Sequence, residues 1–357
     1  MALLLLGVIY PQAGPSVARS ATVVLGPSAP SATPPSSFVA LTQAPSYQRR
    51  LQRFSTATGQ ALDTISGTPT GMQVEGIVLT RSGVIWVTTA EGPRFRNDTA
   101  GGDPAPDSCR SSIIQVRPNQ DRAAVQATFP RSQLVSDAVP NPSGSRLAYL
   151  ESGCRDSFAD SHIVVRDLDG RHLLTIGADT RACHVISPPS WSLDGQQLTF
   201  TYSPAAAGDG SRPGVCPAWG PGELAVASSR HFSGIGQVRL QAAPHGCGYT
   251  RSVFDAWGIA AVETCGANGL GPTHLVQLSP TLAVMSSLEL QPGSDGTSLS
   301  ASGDGEFVLV DEYQAPRASG PNSETGPWDW LYVFDGTSLR VIHVYPDDQY
   351  GVSNASW

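Results

Sequence analysis

Through residues 38–357, apolar and polar positions alternate in short runs broken by Gly, Asp, Asn or Ser. The clearest run is Ser190-Trp191-Ser192-Leu193-Asp194-Gly195-Gln196-Gln197-Leu198-Thr199-Phe200. A period of two on both sides of an Asp-Gly pair predicts two half-buried antiparallel strands joined by a tight turn. The unit recurs at Pro140–Tyr149 (PNPSGSRLAY) and Ala301–Val310 (ASGDGEFVLV), and more weakly at Ile77–Val87 and Phe254–Val262. A second hairpin reads Leu331–Ile342 (LYVFDGTSLRVI). Its relatives are Ile163–Ile176, Leu51–Ile65 and Ile113–Val125, with looser copies at Leu224–Leu240 and Leu275–Met285. No long segment carries the 3.6-residue spacing of a helix, so the chain reads as all-β.

The two hairpin types alternate, giving four strands about every 50 residues. Repeated four-stranded sheets at that spacing predict a β-propeller, whose blades stack face to face around an axis; a pair of β-sandwich domains is the competing arrangement. Full blades begin near Gly71, Gln133, Cys183, Gly246 and Thr297. A sixth is incomplete at its start, where only Phe38–Thr42 precedes the hairpin Leu51–Ile65. The C-terminal Val352–Trp357 matches Ile186–Trp191, the innermost strand of another blade, and stops where a turn should follow. The expectation is therefore six four-stranded antiparallel blades, the last strand of the chain joining the first blade and leaving no open edge.

The segments SWSLDGQQLTF and NPSGSRLAY resemble the repeat of TolB-like propellers, in which an S-P-D-G-type turn joins the first two strands of a blade. The resemblance covers most of residues 38–357 and is specific for fold. It implies an exported six-bladed propeller used for binding. The family's best-known member carries an additional α/β domain that nothing in this chain matches, so its partner does not transfer.

Ahead of the repeats, residues 1–18 contain the apolar run Leu3–Ile9, well short of the ~20 residues a spanning helix needs. The run has the length of a signal-peptide core without a basic start, and reads as a leader or a truncated signal or anchor segment. Residues 19–37, rich in Pro, Ser and Ala, form a linker that holds a domain away from an anchor. Six cysteines without a C-x-x-C pair fit an exported, disulfide-bonded chain. Cys183-His184 and His245-x-Cys247 have no second spaced pair, so neither metal nor cofactor is expected. The chain's net charge is −8, and its 22 basic residues, all Arg, form no run, which argues against a nucleic-acid partner. Lysine is absent, a bias of high-GC bacterial codons.

In a four-stranded up-down blade, with strands A to D from the axis outward, the A–B and C–D turns lie at one end and the B–C loops at the other. The B–C loops are long here, spanning residues 91–110, 151–161, 203–222, 264–273 and 313–329. Long loops on one face of a rigid scaffold are where binding residues gather. All six cysteines fall at that face. Loop adjacency suggests the pairs Cys109–Cys154, Cys183–Cys216 and Cys247–Cys265, among fifteen connectivities. Trp219, Trp328 and Trp330 are candidate ligand contacts in the loops, and Glu151, Glu263, Asp311 and Glu312 follow the B strands there. No G-x-S-x-G, H-E-x-x-H or P-loop motif is present, and the His residues are scattered. The reading is a non-catalytic, exported module that binds a protein or a cell-envelope polymer through a disulfide-braced loop face. The alternative is a propeller hydrolase or lyase with a carboxylate site on the same face, marked by two carboxylates ~5–10 Å apart in an open pocket.

Overall fold

A computed structural model describes residues 33–43, 49–65, 73–91, 109–117, 123–153, 161–177, 184–185, 187–203, 222–231, 238–266, 271–290, 296–314, 328–342 and 352–357. The leader, residues 1–18, and most of the linker lie outside them. The described residues contain strands and no helix, arranged as six sheets.

Blade 2 comprises β4 (Gln73–Leu79), β5 (Ile85–Glu91), β6 (Arg110–Val116) and β7 (Ala124–Thr128). Blade 3 comprises β8 (Gln133–Pro140), β9 (Arg146–Gly153), β10 (His162–Asp167) and β11 (His172–Ile176). In blade 4 the inner position is shared by β12 (His184–Val185) and β13 (Ser190–Trp191), followed by β14 (Gln197–Ser203), β15 (Glu223–Ser228) and β16 (Arg239–Gln241). The inner strand expected through Ile186–Trp191 is thus broken at Pro188-Pro189, where two consecutive residues have no N–H to give a ladder. Blade 5 is β17 (Cys247–Phe254), β18 (Ile259–Cys265), β19 (Thr273–Leu278) and β20 (Val284–Glu289); blade 6 is β21 (Gly296–Ala301), β22 (Val308–Gln314), β23 (Trp328–Phe334) and β24 (Leu339–Ile342). Blade 1 joins the two ends of the chain. β25 (Val352–Ser356) pairs antiparallel with β1 (Ser37–Gln43), with Val39 opposite Ser356, and β2 (Arg49–Ser55) and β3 (Ala61–Thr64) complete the sheet.

Period-two alternation explains how the blades stack. Within blade 6, Leu309 and Val333 face blade 1 and pack with Phe38, Phe54 and Trp357. Their neighbours Val308, Val310 and Phe334 point the other way, onto Val253, Ala260 and Val262 of blade 5. The other four blade interfaces each hold a buried apolar cluster of the same kind.

The A–B turns share one chemistry. Thr80, Asn141, Ser192 and Ser302 each open a turn closed three residues later by a glycine whose N–H donates back to the opening carbonyl at 2.8 Å. The opening side chains also accept from the amides that follow the turn: Val84 on Thr80, Ser145 and Arg146 on Asn141, Gln197 on Ser192, Phe307 on Ser302. Gly195 and Gly305 sit at φ of +68° and +76°, where a β-carbon is disfavoured. In blade 5 the corresponding turn is Asp255-Ala256-Trp257-Gly258. Trp257 lies in this turn, with its ring where a side chain on Gly336 of blade 6 would sit.

Neighbouring blades are also tied near the axis by hydroxyl groups at or one residue before the end of the inner strand. The amide of Leu79 donates to Ser356 Oγ (3.0 Å), that of Phe254 to Ser190 Oγ (3.2 Å), and that of Trp357 to Ser300 Oγ (3.2 Å). Blades 2, 3 and 5 carry Val78, Val139 and Val253 at the hydroxyl position. Pro140, which ends the inner strand of the blade after Val78, has no N–H to donate.

Candidate functional site

The inner strands enclose a central cavity of about 570 Å³ that reaches the A–B turn end. Its mouth is bordered by the turn residues Arg81, Asn141, Leu193 and Asp304 and by Trp357. In blade 1 no A–B turn joins the first two strands, because β25 and β1 are not consecutive along the chain. There the side chain of Arg81 from blade 2 lies over Gly303 of blade 6, where a β-carbon on Gly303 would come within 3.0 Å of it. Burial alone would raise Asp304, but the Ser302 hydroxyl, the Glu306 amide and the nearby Arg81 charge together hold it below its usual value.

Three residues before Leu79, Pro140, Trp191, Phe254, Ala301 and Trp357, which close the six inner strands or directly follow them, stands one position of a ring: Gly76, Asp137, Pro188, Arg251, Ser298 and Asn354. All but Gly76 line the cavity. Arg251 and Asp137 are its charged members. Burial pulls the Arg251 guanidinium below its ordinary value, and the Asp137 carboxylate opposes that. Asp137 lies in a β-bulge with φ of +53°, and Asn354 occupies the matching irregularity of β25 at +54°. Bulges re-aim side chains, and these turn polar groups toward the axis. Neither Asp137 nor Arg251 was singled out from the sequence. Aligning the inner strands on their last residue reveals them, because it places a charge where other blades carry Gly, Pro or Ser.

The carboxylates expected at the loop end stand inside the B strands instead of following them. Glu151 on β9 accepts from Gln133 Nε2 at 2.9 Å and lies 3.7 Å from Nε2 of His162, its cross-strand partner on β10. Glu263 on β18 is mostly buried, with Nδ1 of its cross-strand partner His274 at 3.9 Å. Asp311 on β22 accepts from Ser298 Oγ and from the Ala355 amide, both at 3.3 Å, which ties blade 6 to the C-terminal strand. Glu312 is buried; burial and the charge of this carboxylate push Tyr332 well above the usual tyrosine value. Asp311 and Glu312 are adjacent and project to opposite faces of the sheet. Glu151, Glu263 and Asp311 each have partners of their own.

Glu151 also lines a second cavity, of about 400 Å³, on the face of blade 3 toward blade 2. Arg166 sits there 5.8 Å from the Phe129 ring, and burial and the Glu151 charge push Tyr149 up to about 12. Trp328 and Trp330, expected in a loop, belong to β23, pairing by backbone with Gln314 and Glu312. The alternation of Trp328-Asp329-Trp330-Leu331-Tyr332 extends that strand beyond the loop boundary read from sequence. Trp219 lies outside the described residues.

Cys247 and Cys265, direct cross-strand partners on β17 and β18, form a disulfide with a Cα–Cα distance of 3.9 Å. Cys109 is also disulfide-bonded, and no cysteine among the described residues is free. Cys154, Cys183 and Cys216 lie outside the described residues.

Six four-stranded antiparallel blades around a central cavity define a β-propeller. No family model matches the chain, and no curated protein matches it in sequence. Among solved structures it is similar to a TolB protein from Agrobacterium tumefaciens, with 13% identity and a TM-score of 0.46 over 86% of this chain and 88% of that one. It is also similar to an oligogalacturonate lyase from Vibrio parahaemolyticus, with 12% identity and a TM-score of 0.45 over 85% and 78% of the two chains. A third likeness is the β-propeller domain of the Trilobed protease from Pyrococcus furiosus, with 11% identity and a TM-score of 0.39 over 76% and 72%.

Proposed function

We propose that this chain is an extracytoplasmic binding propeller without catalytic activity, whose ligand is a protein or a cell-envelope polymer held at the B–C loop face. The observation that carries the reading is the placement of the four loop-end carboxylates. Glu151, Glu263, Asp311 and Glu312 are spread over three blades; the first three have partners in their own blade or the next, and Glu312 is buried near Tyr332. A pair arranged for glycosidic chemistry shares one open pocket; among the described residues, the cavity of about 400 Å³ that Glu151 lines takes none of the other three. Disulfide-bonded cysteines at the loop end support an oxidising compartment, and the Pro-rich stem supports display away from an anchor.

The test is affinity capture from a cell-envelope fraction, with the protein oxidised and with its disulfides reduced. One ligand retained by the oxidised form and lost on reduction supports the reading. Turnover of polysaccharide or peptide substrates by the pure protein, abolished in Glu151→Gln or Glu263→Gln, replaces it with the hydrolase or lyase alternative.

A further inference from the structure

The loop end of blade 5 collects donor groups that no sequence spacing displays. Cys247 is opposite Cys265 on the neighbouring strand; Tyr249 is opposite Glu263, and Glu263 is opposite His274. Residues two apart share a sheet face and cross-strand partners project together, so all five side chains emerge on one side. Donor atoms of Cys247, Glu263 and Cys265 lie within 4.8 Å of one another. Glu263 Oε1 is 3.9 Å from Cys265 Sγ and 3.9 Å from His274 Nδ1. Zinc bonds of ~2.0–2.3 Å give a tetrahedron with edges of roughly 3.3–3.8 Å, close to the two Glu263 spacings, and His274 adjoins the sulfurs through Glu263. The corner also holds unmet polar demand: His274 Nδ1 and the Tyr249 hydroxyl are buried without a hydrogen-bond partner.

We propose that reduction of the Cys247–Cys265 disulfide converts this corner into a four-ligand site, of two thiolates, one carboxylate and one imidazole, for a divalent cation of the zinc class. A dithiol reductant supplies two electrons. The S–S bond breaks, the reductant becomes a disulfide, and its two protons end on Cys247 and Cys265. The cation then displaces both protons and takes the two thiolates, one oxygen of Glu263 and the His274 nitrogen. Disulfide and metal use the same sulfurs and exclude each other. Each fastens β17 to β18, and the metal adds β19. The site is independent of the loop-face ligand proposed above.

The experiment is cobalt titration of the full chain, oxidised and after treatment with excess dithiol and anaerobic removal of the reductant. Reduced protein is expected to bind one equivalent of Co²⁺ at this corner, with thiolate charge-transfer absorption and intense tetrahedral d–d bands, displaced by Zn²⁺. Oxidised protein gives neither. Cys247→Ser removes the bands. His274→Ala keeps the disulfide, so its fold is checked while oxidised, and its affinity after reduction falls at least about tenfold. Three results overturn the proposal: reduced wild type without these bands, oxidised protein that binds equally well, or bands of undiminished affinity in both variants, which would assign the cobalt to other thiols.

Discussion

Asp255 opens the A–B turn of blade 5 and is a buried acid displaced from its ordinary behaviour. Its Oδ1 accepts from Gln277 Nε2 and from the amides of Trp257 and Gly258, while Oδ2 is buried without a partner. Burial outweighs those bonds and raises the group from 3.8 to about 6. The folded state therefore holds the proton more tightly than the unfolded chain. The resulting stability is fully present below pH 3.8 and is lost as pH rises through about 6. A shift of that size amounts to about 3 kcal/mol. Asp255→Asn keeps an acceptor for the three donors and removes the charge. Urea denaturation at pH 8 should show the variant more stable than wild type by roughly 1–3 kcal/mol, with the difference shrinking toward pH 4. An equal difference at both pH values would refute the charge as its source. Gly76 poses a steric question at the same scale. A β-carbon there would stand 2.8 Å from the Asp137 Cα and 2.9 Å from its amide nitrogen, both backbone atoms of the next blade. Gly76→Ala should cost about 2 kcal/mol or more, seen as a lower urea midpoint with unchanged slope.

At the scale of the strand and its turn, much of the architecture could be read in advance. SLDG and SGDG announce the Ser192 and Ser302 turns because the hydroxyl and the left-handed glycine are local requirements, met within the segment itself. Reading failed where a neighbour decides. Trp257 fits a strand pattern by itself, yet Asp255 captures the following amides and makes a turn of it. Glu151, Glu263, Asp311 and Glu312 read as loop-end charges, whereas the B strands run on past them and the first three find partners on other strands. The serines beside the axis act between elements too. Ser190→Ala or Ser300→Ala leaves the amide of Phe254 or Trp357 without its acceptor, which should cost about 1–2 kcal/mol each in chemical denaturation. Val253→Ala, at the equivalent place in a blade without the hydroxyl, tests the distinction. Its loss should come from packing alone and leave exchange of the Ala301 amide unaltered.

Over the whole molecule, blade 1 exists only if the two ends of the chain meet. Trp357 packs edge-on to Phe307, with ring centroids 6.3 Å apart, in a buried cluster that draws on blades 1 and 6. Trp357→Ala is expected to cost about 3–5 kcal/mol. Removal of residues 352–357 should do worse, leaving β1 without its inner partner and lowering the thermal midpoint more than the single substitution does. A truncated chain that melts like wild type would show that the C-terminal strand contributes nothing to the ring.

Strand type, turn position, blade count and the kinship of the last strand with inner strands elsewhere follow from the sequence alone, because alternation, glycine turns and repetition are properties of short segments. The charged ring at the axis, the partners of the loop-end carboxylates and the donor cluster of blade 5 were decided by the tertiary structure. Each joins residues whose proximity depends on strand register and on the angle between blades. Those quantities are fixed only when the apolar faces close on one another.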